Sequence, residues 1–152
     1  MRAQAEAIEH GCDQVVFLDA VERRYIEELG GMNVFFVFDD GTLSTPPLGT
    51  ILPGITRDSI IALAREAGTP VREAPYTIEE WRADAASGKL KEAFACGTAA
   101  VISPIGKVCS ASGDFTIGGG AAGPVAMGLR KKLVDIQYGR AADSHGWIRK
   151  VL

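Results

Sequence analysis

The chain has 152 residues, 47% of them hydrophobic and 23% charged, with a formal net charge of -3. That balance suits one globular domain with a real core, since a chain of this size buries roughly 70% of the surface it exposes unfolded. Scattered Lys and Arg, with Lys131-Lys132 too short a run to count, leave no basic footprint for nucleic acid. Residues 2–10 read as the tail of a polar helix closed by Gly11, without the apolar core of a secretory signal. Gln14-Val-Val-Phe-Leu18 and Tyr25–Glu28 read as short strands, then the Gly30-Gly31 pair leads into Asn33-Val-Phe-Phe-Val-Phe38. That last segment is aromatic and β-branched, so it predicts a buried strand, turned by Asp39-Asp40-Gly41. It is also among the longest apolar stretches, far below the length that spans a bilayer, so no membrane segment is expected.

Thr42–Pro47 carries and then breaks another strand. Thr56 stands at a plausible N-cap, with Ile60, Ile61, Leu63 and Ala64 as an apolar stripe and Gly68 as the stop. Val71–Ala74 suits an edge strand, and Thr77-Ile-Glu-Glu80 has capping-box spacing for a helix ending near Gly88. Ala93–Ile102 is a small, apolar run interrupted at Pro104; Phe115-Thr-Ile117 is a short strand. Pro124 opens a helix through about Tyr138, with Gly139 as its stop. Strands mixed with three or four helices predict a single α/β domain, bordering on α+β, over residues 1–152. A start in mid-helix, with a strand soon after, fits an interior fragment or a frayed N-terminal helix.

Cys12, Cys96 and Cys109 are odd in number and widely spaced, without a CxxC or a Cys/His cluster. They predict neither a disulfide framework nor a metal site, and they suit a reducing cytoplasm. His10 and His145 are lone histidines, expected at the surface.

Three places could carry chemistry. Leu52-Pro-Gly-Ile-Thr-Arg57 leads a loop into a helix whose N-terminus presents unpaired amides; Gly54 permits close backbone approach and Thr56 adds a hydroxyl. Such a segment either seats a phosphate or merely caps its own helix. Ala95-Cys-Gly-Thr-Ala-Ala100 is either an anion-binding nest with the Thr98 hydroxyl or a tightly packed strand end. Glu27-Glu28 is either a solvated pair or supplies a carboxylate to a nitrogen heterocycle.

The ordered set Ile26-Glu-Glu-Leu-Gly-Gly-Met-Asn33, Leu52-Pro-Gly-Ile-Thr-Arg57, Ala95-Cys-Gly-Thr-Ala-Ala100 and Asp135-Ile-Gln-Tyr-Gly139 resembles the branched-chain aminotransferases. These are fold-type IV pyridoxal-phosphate enzymes, and the resemblance runs over nearly the whole chain. It implies the larger, C-terminal domain of the D-amino-acid-aminotransferase-like fold, truncated at its N-terminal side. By resemblance, Glu28 pairs with the pyridinium nitrogen and Leu52 packs on the cofactor ring. Ile55 and Thr56, with Gly54 and Gly31 beside them and Thr98 adding a hydroxyl, hold the cofactor phosphate. Gly97, Thr98 and Ala99 receive the α-carboxylate of the amino acid. Some relatives have a CxxC after the Gly-Thr motif; Ala100 and Ser103 stand there here, so no thiol switch of that type is possible.

The resemblance also defines an absence. The family's Schiff-base lysine lies upstream of the stretch matching Met1-Arg-Ala-Gln4, and none of Lys89, Lys91, Lys107, Lys131, Lys132 and Lys150 stands in its context. The smaller N-terminal domain is missing too. The implied parent is a cytoplasmic homodimer that moves the amino group of leucine, isoleucine or valine to 2-oxoglutarate, in branched-chain amino acid biosynthesis. This chain alone is expected to be inactive. The alternatives are a non-catalytic relic binding phosphate or a partner, and a piece of a D-amino-acid aminotransferase or aminodeoxychorismate lyase relative.

Overall fold

The computed structural model describes residues 2–149 and 151. Its centre is β3 (Asn33–Phe38), all six residues of which are buried. Burial on both faces follows from a sheet covered on both sides. Phe35 and Val37 pack toward α2 (Ile55–Glu66) and α4 (Pro124–Gln137), while Val34, Phe36 and Phe38 pack toward α3 (Ile78–Ser87) and β2 (Ile26–Leu29).

The sheet has five strands in the order β5-β4-β3-β6-β7. β4 (Leu43–Thr45) and β6 (Leu90–Gly97) flank β3 antiparallel. β5 (Val71–Glu73) adds to β4 in parallel, across α2, and β7 (Val101–Pro104) closes the other edge. β1 (Val16–Leu18) pairs with β2, and β8 (Lys107–Val108) with β9 (Phe115–Thr116), as two small antiparallel ladders. α1 (Arg2–Glu9) buries none of its residues.

The apolar stripe expected on α2 is the buried one: Ile60, Ile61, Leu63 and Ala64. The capping box of α3 is present in full. Thr77 accepts from the Glu80 amide at 3.1 Å, and Glu80 accepts from the Thr77 amide at 2.9 Å. α4 begins at Pro124 as expected.

One expectation fails. The N-cap of α2 is Gly54, not Thr56, and no side chain caps it. Gly54 is extended after Pro53, so the helix starts two residues early and Thr56 falls inside its first turn. The apolar run Ala93–Ile102 is divided by the strand end expected within Ala95–Ala100: the chain reverses between Gly97 and Val101 into β7. Val101 takes φ +58° to complete that reversal, a conformation strained for a β-branched residue.

Candidate functional site

Three turns meet at one end of the sheet. The β2–β3 turn is tight, with Leu29 and Met32 exchanging both backbone hydrogen bonds at 2.8 and 2.7 Å, and it holds Gly31 at φ +93°. It delivers the chain to Asn33, which lies opposite Cys96, one residue before Gly97. Gly97 in turn sits against Met32: a Cβ there would lie 3.2 Å from the Met32 Cγ.

Asn33 also ties in the third turn. Its buried side-chain Nδ2 donates to the Leu52 carbonyl at 3.1 Å. A Cβ on Gly54 would stand 2.1 Å from the Asn33 Oδ1, so the loop before α2 fits against Asn33 only because residue 54 is glycine. Asn33 therefore sets where the N-terminus of α2 lies relative to the Gly97–Val101 turn.

That N-terminus is open. The first helical hydrogen bond is from the Asp58 amide to the Gly54 carbonyl, at 3.0 Å, so the Ile55 and Thr56 amides precede it and have no helical acceptor. They carry the positive end of the helix dipole. Leu52 and Ile55 expose 71% and 86% of their surface, placing apolar side chains beside these amides. Thr56 is half-buried, Gly97 likewise, and Thr98 and Ala99 are exposed on the neighbouring turn.

Glu28 is half-buried on β2, opposite Phe17. Among the described residues its carboxylate has no ion pair or hydrogen-bond partner, whereas Glu27 accepts from the Thr50 hydroxyl. The two acids that the sequence left equivalent are thus distinct: Glu27 is engaged and Glu28 is available.

Sequence reasoning missed the residues that hold this arrangement. Asn33 reads as the first residue of an apolar strand, and its role appears only with Leu52 and Gly54 in space. Arg57 is buried within the first turn of α2. Its guanidinium donates to the Pro46 carbonyl at 3.0 Å and to the Glu73 carboxylate at 2.8 Å. The bond from Arg57 holds the Glu73 carboxyl below its usual pKa range. This clamp fixes α2 to β5. The position of Arg57 three residues after Gly54 was a visible signal, but its partners were not.

A cleft of about 1140 Å³ lies elsewhere. It runs between α1, the segment 10–16 and the region 103–111, and touches the site only at Leu29, Met32 and Ala95. None of the residues expected to contact the cofactor or substrate lines it. No group of His, Cys, Asp and Glu among the described residues could hold a metal ion, and no helix there is long and apolar enough to cross a membrane.

Known proteins share this chain's sequence and fold. The family "Amino-transferase class IV" matches residues 1–108. A branched-chain-amino-acid aminotransferase of Mycobacterium tuberculosis is 56% identical over 153 aligned positions, covering 98% of this chain and 42% of the relative. Branched-chain-amino-acid transaminase 1 of Bacillus subtilis is 43% identical over 99% of the chain and 42% of its own length. The solved branched-chain amino acid aminotransferase of Escherichia coli superposes with a TM-score of 0.80 at 38% identity, over 97% of this chain and 46% of that one. A second solved branched-chain amino acid aminotransferase, complexed with N-(5'-phosphopyridoxyl)-L-glutamate, gives a TM-score of 0.80 at 33% identity, over 96% and 45%. The chain thus spans under half the length of the relatives it matches. With most of its residues matched by one family and its fold shared with solved members, this chain belongs to the class IV aminotransferases.

Proposed function

We propose that this chain is the cofactor-cradling part of a pyridoxal-phosphate-dependent branched-chain aminotransferase. The parent would move amino groups between leucine, isoleucine or valine and 2-oxoglutarate. The observation that carries the reading is the uncapped N-terminus of α2, held beside the Gly97–Val101 turn by Asn33. The named activity of the relatives supports the rest.

The residues present fit such a group. The Ile55 and Thr56 amides, with the Thr56 and Thr98 hydroxyls, would hold its phosphate at a helix N-terminus made accessible by Gly54. Leu52 would cover one face of the ring, and the turn at Gly31 would keep side chains away from it. Glu28, without a partner among the described residues, would hold the proton on the ring nitrogen. The backbone amides of Gly97, Thr98 and Ala99 would receive the α-carboxylate of the amino acid. The cofactor, when bound, supplies the electron sink for chemistry at the substrate's α-carbon.

These residues bind and orient. The amine that such enzymes use to move a proton at the α-carbon is a lysine, and by the family's pattern it lies before the stretch matching residues 1–4. Of the described lysines, Lys89, Lys107, Lys131 and Lys132 pair with Asp84, Asp114, Asp135 and Glu66, and Lys91 lies within β6. The 152-residue chain alone is therefore expected to be inactive. The parent is read as a homodimer, supported by exposed apolar residues such as Val125 and Met127 on α4, and as cytoplasmic, supported by three free cysteines.

Two measurements test this. Titration of the chain with pyridoxal phosphate should show weak binding that inorganic phosphate competes away and Thr56→Ala abolishes. Binding unchanged in Thr56→Ala would place the ligand elsewhere. A protein extended upstream through an in-frame Lys-x-x-Gly-Asn-Tyr-Ala-like segment should transaminate leucine, isoleucine and valine; a stop codon directly upstream of Met1 would sink the enzymatic reading.

A further inference from the structure

Val101 stands where the backbone asks for glycine. It lies opposite Gly97 in the β6–β7 ladder and ends the turn Thr98-Ala99-Ala100. Its φ of +58° is left-handed, a conformation that strand reversals commonly give to glycine, which has no Cβ to clash. A β-branched side chain suits it poorly. Among the described residues the other non-glycine at positive φ is Arg23, which lies in an exposed bend.

What holds Val101 in this conformation is its side chain. It is half-buried and packs on the core between the sheet and helices α2 and α4. The other end of the turn is fixed as well, because Gly97 rests on Met32. Between these two ends Thr98 and Ala99 are exposed. Among the described residues, the amides of Thr98, Ala99 and Ala100 have no backbone acceptor. A glycine at position 101 would relieve the strain and leave one end of the turn loose. The chain instead clamps three unpaired amides with a strained residue, which a simple reversal between two strands does not require.

We infer that Val101 is a positioning residue: its anchored side chain fixes the direction in which the Thr98 hydroxyl and the Thr98 and Ala99 amides face a ligand. This role rests on the proposed reading of the turn as one of two anion-binding ends. Val101 itself touches no ligand. Its contribution is to order the turn before binding, so that a ligand does not have to.

The test is calorimetric titration of the 152-residue chain with inorganic phosphate, circular dichroism confirming that each variant folds. Val101→Gly should bind about tenfold more weakly, the loss of one hydrogen bond to a charged group. Val101→Asn, which accepts the left-handed φ but lacks the apolar anchor, should be equally weak. Val101→Ile keeps the branched anchor and should bind as the unaltered chain does. Thr98→Ala should weaken binding by a similar factor in the unaltered chain and by no further factor in Val101→Gly, where the hydroxyl is already unplaced. Thr77→Ala, which loses a distant helix cap, should leave the affinity unchanged and so separates positioning from stability. Unchanged affinity in Val101→Gly and Val101→Asn, with Thr56→Ala still weakening it, would overturn the role of Val101 and keep the anion seat. So would an undiminished effect of Thr98→Ala in the Val101→Gly chain. Absence of phosphate binding by the unaltered chain would overturn the seat and the role of Val101 together.

Discussion

The N-termini of α2 and α4 present the same backbone chemistry and are treated in opposite ways. At α4 the buried carboxylate of Glu92, from β6, accepts from the Val125 and Ala126 amides at 2.9 and 2.8 Å. Gly123 makes room for it: a Cβ there would lie 1.9 Å from the Glu92 Cδ. At α2 the corresponding glycine, Gly54, makes room only for Asn33, whose side chain binds a loop carbonyl and leaves the amides free. A helix end that the protein closes with its own anion is structural. One that it leaves without an internal cap can take an outside anion.

The largest effect that would sharpen this contrast is at Glu92. Glu92→Ala leaves two first-turn amides of α4 without their charged acceptor and should cost about 3 kcal/mol in urea unfolding. A loss under about 0.5 kcal/mol, the level of an ordinary surface change, would mean the cap is not structural. Gly123→Ala should come next, at about 2 kcal/mol, because the added Cβ displaces the same carboxylate without straining the backbone.

α3 is the intermediate case, closed by its own Thr77 and Glu80. Thr77→Ala should cost about 1 kcal/mol. Its partner adds a pH dependence. The Thr77 amide, then the Thr77 hydroxyl, hold Glu80 below its ordinary carboxyl pKa. The folded value lies below the unfolded one, so this stabilisation is full above the unfolded value and is lost as pH falls through the folded one. Glu80→Gln should flatten that acid limb of an unfolding curve; an unchanged limb would assign it to other carboxylates.

The smallest stability effect is predicted at the open end. Thr56→Ala removes no internal cap and should change unfolding by no more than about 0.5 kcal/mol. It should nevertheless weaken inorganic phosphate binding about tenfold, the loss of one hydrogen bond to a charged group. If Thr56→Ala destabilised the fold as Thr77→Ala does, the contrast between open and closed ends would fail.

What is legible in the sequence is local. The buried strand at Asn33–Phe38, the capping box at Thr77 and the Pro124 start of α4 each depend on residues within a few positions of one another. Thr56 reads wrongly as a cap because a hydroxyl before an apolar stripe has the composition of one; the extended Pro53-Gly54 backbone, which starts the helix earlier, leaves no such trace. The reversal at Gly97–Val101 is half legible: the small residues after Cys96 mark a strand end, but a valine at positive φ leaves no sign that the chain turns straight back. The Glu92 cap and the Arg57–Glu73 clamp join distant segments, and no periodicity reports them. For the site, the residues that would touch a ligand are readable by family pattern, while Asn33, which holds them in register, is not.

The burial of β3 has a consequence for motion. Every residue of this strand is sealed on both faces, and β4 and β6 pair with it on either side. Its amides should therefore exchange with solvent deuterium only when the whole molecule opens, whereas those of α1, which buries nothing, should exchange through local fraying. Asn33 starts the slow strand, so the open end of α2 is moored to the part of the molecule that breathes least.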